Sequence, residues 1–420
     1  MISKKKLFTA IGPLFVALII VGAVIFSPIN WFSKPSQKAV HKSASSMAVN
    51  VLKGNDLKNE AMGSGKYLPF FGSSELSRVN AFHPSVLAQK YDRPYEPYLL
   101  GAPGTQSLTH FFMLNSMEKE LKNKKVVFVI SPQWFVKDGV GDPMFSLFYS
   151  PLQVNQYLMN LDKVDENDQY LARRMLKFSS VRTDTQMKLM MKKIKSGEEL
   201  STMNYNRASY NYEVLSKEDS LFSRIGITSK SDKITEKTKK LPSQYSYEEL
   251  DKMAFEAGKK GTSNNEFEIA NSFYTNRISP MKGKLENSQT KFDYTVSPEF
   301  SDFQLVLNKL AENNIDAMFV IPPVNQKWSD YTGLSTDMLD TFSKKITYQL
   351  NSQGFNHVYD YTQKRAEPYF MEDTIHLGWR GWMQMDQDLQ GFLKDTTKPE
   401  YKMNPTEFLS KDWQKRTDFE

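Results

Sequence analysis

The chain of 420 residues contains no cysteine. Disulfides, a thiol nucleophile and thiolate metal sites are therefore excluded, which suits an exported protein of a cell that does not build its outside with disulfides. Histidine is scarce as well: there are five, His41, His83, His110, His357 and His376. None stands in a His-x-x-x-His or His-Glu-x-x-His spacing, so no zinc site, and no other metal or cofactor, is expected. Internal repeats are absent, and the one biased tract is a Ser-, Lys- and Ala-rich stretch at 33–49.

Long apolar runs are equally rare, and the single one stands at the front. Leu7 to Phe26 (LFTAIGPLFVALIIVGAVIF) is uncharged, and at about 1.5 Å per helical residue it is long enough for the ~30 Å hydrocarbon layer. Lys4, Lys5 and Lys6 precede it, which predicts a cytoplasmic N-terminus at 1–6, a transmembrane anchor at 7–26 and an extracellular remainder. A cleaved signal peptide is the rival reading. The run is longer than a usual signal core, no small-x-small site follows it, and Trp31 and Phe32 suit an interface instead. The formal net charge of +6 favours an anionic partner, which on that face of the membrane means lipid headgroups or wall polymers and not nucleic acid. The lysines at 188, 192, 193 and 195 interleave with Met and Leu at helical spacing, so their plainer reading is the wet face of an amphipathic helix.

Beyond a linker at 27–49, short apolar runs alternate with helical patterns. Strands are expected at Tyr67 to Phe71, near Tyr98 to Leu100 and at Lys125 to Ile130, with a helix from Gln106 to Leu121 between the last two. From about 142 to 290 the pattern is helical without a comparable strand, which reads as an insertion. The rhythm then resumes: helix Ser301 to Asn313, strand Asp316 to Ile321, helix Thr336 to Gln353, strand Phe355 to Tyr359, and a last helix through Gly381 to Leu393. This alternation predicts an α/β fold with a central parallel sheet, residues 50–420 forming one domain.

Two segments carry the chemistry. The first strand empties into Gly72-Ser73-Ser74-Glu75-Leu76, a tight turn that would expose the Ser74 hydroxyl at the sheet's carboxyl edge with its own N–H beside it. Asp373-Thr374-Ile375-His376 puts a carboxylate and an imidazole three residues apart. A serine hydroxyl needs such a base to become a nucleophile, and the base needs a carboxylate to fix its tautomer. The competing role for Ser74 or Ser77 is to cap a following helix, with Glu75 in its first turn. Glu372 is an alternative orienter, His357 a weaker base, and His110, inside an amphipathic helix, a core or surface residue. Oxyanion donors are sought in Ser74 itself, in Gly101-Ala102-Pro103-Gly104 after the second strand, and in Gln133 of Ser131-Pro132-Gln133-Trp134 after the third.

These blocks, taken in order with Pro322-Pro323-Val324-Asn325 and His376-Leu377-Gly378-Trp379, resemble the DltD family, D-alanyl transfer proteins of Gram-positive bacteria. The resemblance covers essentially the whole chain. The family is similar to SGNH (GDSL-type) hydrolases, whose fold is a three-layer α/β domain. By position it implies Ser74 as nucleophile, Ser73 where those hydrolases have Asp, and Asp373 and His376 in the last block. The hydrolases' Gly-x-Asn-Asp block has no counterpart, and Gln133 stands nearest to it. What the resemblance implies is D-alanylation of lipoteichoic acid outside the membrane. The partners would be a membrane-bound O-acyltransferase and other D-alanylation proteins, and aromatics of the insertion (Phe145, Phe148, Tyr149, Tyr157) would cover the site or dock a partner. The alternatives are an esterase or thioesterase acting on D-alanyl esters or mischarged carrier, and a non-catalytic scaffold for the acyltransferase.

Overall fold

A computed structural model describes residues 4–27 and 34–419. Residues 1–3, which open the expected cytoplasmic N-terminus, and 28–33, which include Trp31 and Phe32, lie outside the described residues. Five strands, β1 (Tyr67–Phe71), β2 (Glu96–Leu100), β3 (Lys125–Val129), β4 (Asp316–Ile321) and β5 (Val358–Asp360), form one sheet in the order β2-β1-β3-β4-β5. Every pairing is parallel. The runs that build it are apolar on both faces: Val126 to Ile130 and Met318 to Ile321 are fully buried, as expected where helices cover both sides of a parallel sheet. Pairing of β1 with β3 is confined to Phe70 and Phe71, past Pro69, which has no N–H to donate.

Because the strand order reverses at β1, right-handed crossovers put the β1–β2 connection on one face and the later connections on the other. On the first face helix Pro84–Lys90 meets helix Trp379–Lys394, with the His83 ring 4.8 Å from that of Trp382 and Arg93 paired to Asp386 at 3.0 Å. On the second, helix Ser107–Ser116 packs on helix Glu299–Glu312, where the Ser107 N–H donates to Glu299 at 2.8 Å. The expected helix from Gln106 to Leu121 is broken at Met117, whose side chain is buried.

Between β3 and β4 the regular elements among the described residues are all helical. This segment is bound to the body by Arg174, whose guanidinium meets Asp302 at 2.7 and 2.8 Å with both groups buried. The lysine-bearing helix Thr185–Lys195 buries Met187, Met190, Met191 and Ile194 and leaves Lys192 and Lys195 in solvent, the wet-face reading. Phe145, Phe148 and Tyr157 are likewise core: Phe145 stacks on Phe178 with centroids 3.9 Å apart and Tyr157 donates to Asp168 at 2.5 Å. Tyr157 also packs on Phe111 and Phe112 of helix Ser107–Ser116, and the half-buried Tyr149 packs on Phe145, so these rings are taken up by the core.

The segment expected to be a linker is partly folded. Ser36 caps helix Gln37–Ala44, which buries Val40, Ser43 and Ala44, and Ser43 Oγ lies 2.7 Å from the Tyr98 hydroxyl. Apolar contact with β2, invisible in a Ser- and Lys-rich composition, overrides the linker pattern. The apolar run at the front forms helix Lys4–Phe26. Among the described residues, however, no helix is long and apolar enough to cross a membrane.

Candidate active site

The three residues singled out in the sequence meet at the carboxyl edge of the sheet. β1 ends at Phe71, the chain turns at Gly72 and Ser73, and Ser74 opens a 3-10 turn, Ser74–Ser77. Ser74 Oγ lies 2.8 Å from His376 Nε2. His376 Nδ1 lies 2.8 Å from each oxygen of Asp373, so the tautomer that satisfies both contacts has Nδ1–H donating to the carboxylate and Nε2 accepting the serine proton. The Ser74 hydroxyl therefore does not cap a helix. Helix Pro84–Lys90 is capped instead by His83, and the Ser77 hydroxyl donates to the Ser74 carbonyl.

Asp373 is fully buried and His376 only 6 % exposed, so both would lose their charges without compensation. Burial pushes the Asp373 carboxyl up, but the His376 charge and hydrogen bond, Arg78 and the Ile375 N–H outweigh it and hold it below its ordinary value. Burial pulls the His376 imidazole down, while the charge and hydrogen bond of Asp373, helped by Glu75, lift it above the ordinary 6.5 against Arg78. An ionised carboxylate, an imidazole biased toward accepting a proton and a half-buried hydroxyl are thus arrayed in one line. Such an array can deprotonate an alcohol and return the proton to a leaving group.

Arg78, which the sequence reading did not single out, closes the other side of Asp373 with Nη2 at 2.6 Å and stands over the Phe273 ring at 5.3 Å. Its position four residues past Ser74, on the same turn, was the available signal. Glu372 accepts from Asn80 at 2.9 Å, while His376 has Asp373 as its carboxylate partner. The loop that carries His376 is fastened by Asn325, whose N–H donates to the Thr374 carbonyl at 3.0 Å and whose Nδ2 donates to the Phe267 carbonyl at 3.1 Å.

The turn that carries Ser74 has its own supports. His110 is core: its Nε2 donates to the Gly72 carbonyl at 2.9 Å, and burial pushes its pKa down to about 4. Thr105 Oγ1 donates to the same carbonyl at 2.8 Å, and the Ser73 N–H donates to the buried Glu75 at 2.7 Å. Gly101 is pressed against this turn, since a Cβ there would stand 2.0 Å from the Gly72 oxygen. Gly104, at φ +95°, donates its N–H to Ser73 Oγ at 3.1 Å. Both glycines therefore hold the turn's shape. Gln133 follows β3, the neighbour of β1, and its Oε1 accepts from the Ser131 hydroxyl, which turns Nε2 away from Ser131.

The remaining histidines have other partners. His357 lies at the opposite, amino edge of the sheet near Asp316 and Asp395, at 3.7 and 3.8 Å. His83 is buried and pushed down to about 3 by that burial and then by the charge of Lys230. His41 pairs with Glu96 at 3.0 Å.

A family model described as DltD protein matches residues 44–394. Over 416 residues the chain is 45 % identical to Protein DltD of Lacticaseibacillus rhamnosus, covering 98 % of this chain and 97 % of that one. It is 35 % identical to Protein DltD of Bacillus subtilis (strain 168), over 93 % of this chain and 98 % of the relative. Protein DltD of Staphylococcus aureus (strain NCTC 8325 / PS 47) is 30 % identical, over 92 % and 97 %.

Proposed function

Because the chain belongs to the DltD family, which is implicated in D-alanylation of teichoic acid, we propose that it is a serine-dependent acyltransferase that moves D-alanine onto (lipo)teichoic acid. The observation that carries this is the 2.8 Å contact of Ser74 Oγ with His376 Nε2, backed by Asp373. It lies at the carboxyl end of β1, where the strand order reverses, the usual ligand crevice of open α/β sheets.

In this reading Ser74 Oγ attacks the D-alanyl carbonyl of the donor as His376 Nε2 takes its proton. The tetrahedral intermediate collapses, and the donor's leaving oxygen or sulfur receives that proton from His376. A hydroxyl of the polymer then attacks the Ser74 ester, again losing its proton to His376, and Ser74 departs as the restored alcohol. Asp373 holds the tautomer and stabilises the imidazolium that forms. The Ser74 N–H and the Gln133 side chain are the proposed oxyanion donors, with Gly101 and Gly104 keeping the turn in shape for them.

Helix Lys4–Phe26 is proposed as the anchor that keeps this centre at the cell envelope, outside the membrane and next to a membrane-bound O-acyltransferase and other D-alanylation proteins. Its support is a set of exposed apolar side chains, Leu14, Phe15, Leu18 and Ile19 among them, a patch that needs a cover.

The test replaces Ser74 and His376 singly by Ala and Asp373 by Asn in the full chain and measures D-alanine ester on the polymer. Rate losses on the order of 10³ or more are expected for the first two. A correctly folded, correctly located Ser74→Ala protein with full D-alanylation would sink the proposal.

A further inference from the structure

Immediately beside the nucleophile turn lies a cation without an obvious employer. Lys230 precedes helix Ser231–Thr238, and its N–H is tied to Ser45 Oγ at 3.1 Å. Its Nζ reaches across to the Ser77 carbonyl at 3.4 Å and Met47 Sδ at 3.4 Å. Ser77 is the residue that donates to the Ser74 carbonyl at 2.6 Å. At about 2.0 Å rise per residue, a 3-10 turn puts Ser74 and Ser77 roughly 6 Å apart.

The charges that act on Lys230 are those of Lys233 and Arg78, both positive. Burial first, then these two cations, bring its pKa down to about 8. A half-buried ammonium whose neighbours repel it gains most from an anion that joins it. Arg78 links this cation to the catalytic pair, since its guanidinium also lies against Asp373 at 2.6 Å.

The cation begins a row. Lys230, Lys233, Lys237 and Lys240 fall at i, i+3, i+7 and i+10, one face of the helix and the turn after it. Lys237 feels both Lys233 and Lys240, which places the three together. Asp232 and Glu236 occupy the adjoining face of the same helix, and Glu372, the acid that reaches Lys237 from the site loop, is engaged by Asn80 at 2.9 Å.

We propose that Lys230, with Arg78 and Lys233 beside it, forms an anion subsite that seats a phosphodiester of the acceptor polymer next to the hydroxyl receiving the acyl group. Lys237 and Lys240 continue the track along the chain of phosphates. The inference rests on the acyl-transfer reading of Ser74 and adds to it where the acceptor lies. A polyol phosphate presents a hydroxyl and a phosphate a few bonds apart, matching a cation held against the Ser77 carbonyl, one turn beyond Ser74. Direction follows as well: the polymer approaches over the Ser77 side of the turn, and the donor must enter from another.

The probe is a synthetic oligo(glycerol phosphate), titrated against the full chain in detergent with dextran as a neutral control. Lys230→Gln is expected to weaken binding about tenfold and to make its salt dependence shallower, while Lys230→Arg binds like the unaltered chain. Lys233→Gln, at an exposed position, should weaken binding by a smaller factor, and thermal melting checks the fold of each variant. Unchanged affinity in Lys230→Gln overturns the proposal, as does equal weakening by Gln and Arg or equal binding of dextran. Loss of affinity for phosphatidylglycerol vesicles with oligomer binding intact would make the stripe a membrane contact and also overturn it. Covalent labelling of Ser74 by a fluorophosphonate is measured in parallel on the unaltered chain. Labelling that fails while oligomer binding behaves as expected refutes the nucleophile and leaves the subsite standing.

Discussion

At Ser74 an ordinary turn hydroxyl becomes a candidate nucleophile because of what its oxygen touches. His376 must be neutral to accept the proton, and Asp373 holds its pKa above 6.5. The imidazolium form prevails below that pKa, so the rate should rise with pH through a limb lying above the ordinary histidine value. Arg78 pulls the imidazole down, so Arg78→Gln is expected to move the limb to higher pH. The pH dependence of p-nitrophenyl ester turnover reads this directly. A limb that stays put, or shifts downward, would remove Arg78 from the electrostatics of the base.

The same pair of elements that brings Ser74 forward also limits what the turn tolerates. The ends of β1 and β2 approach until Gly101 has no space for a methyl group, 2.0 Å from the Gly72 oxygen. Gly101→Ala must therefore part the strand ends or tilt the Gly72 peptide, which Thr105 and His110 grip at 2.8 and 2.9 Å. A cost of about 1–3 kcal/mol is expected, with a larger proportional loss of Ser74 labelling than of stability. Chemical denaturation and fluorophosphonate labelling separate the two, and unaltered labelling would show that the turn relaxes freely. The inserted segment behaves differently. Phe145 and Phe148 are buried in the core and Tyr157 packs on Phe111 and Phe112 of the body, and the segment reaches the site through Phe273 beneath Arg78.

Across the whole molecule, the site belongs to the edge where five parallel strands end, and the helix Lys4–Phe26, which touches helix Thr202–Phe222, leaves apolar side chains such as Leu14, Phe15 and Leu18 exposed. Removal of residues 1–27 is expected to release the chain from membranes into the soluble fraction while Ser74 labelling persists, read by fractionation; a truncated chain that remains membrane-bound counts against the anchor. Much of this order was legible in the linear chain. The strands Tyr67–Phe71 and Asp316–Ile321 lie where their apolar runs predicted, because a strand buried on both faces must be apolar throughout. Ser74, Asp373 and His376 were legible because turn glycines and a short Asp-to-His spacing are local signals. The helix Gln37–Ala44 was not, since its burial comes from β2, 55 residues away at the Ser43–Tyr98 contact. The contacts of Arg78, Asn325 and Lys230 were not legible either, because each meets a group supplied by a distant loop or turn. Local composition thus determined which residues form strands and turns and which hydroxyl stands at a strand end. Only the tertiary structure decided that Ser74 and His376, 302 residues apart, share a proton, because strand order and crossover direction are set by burying whole surfaces together and not by any one segment.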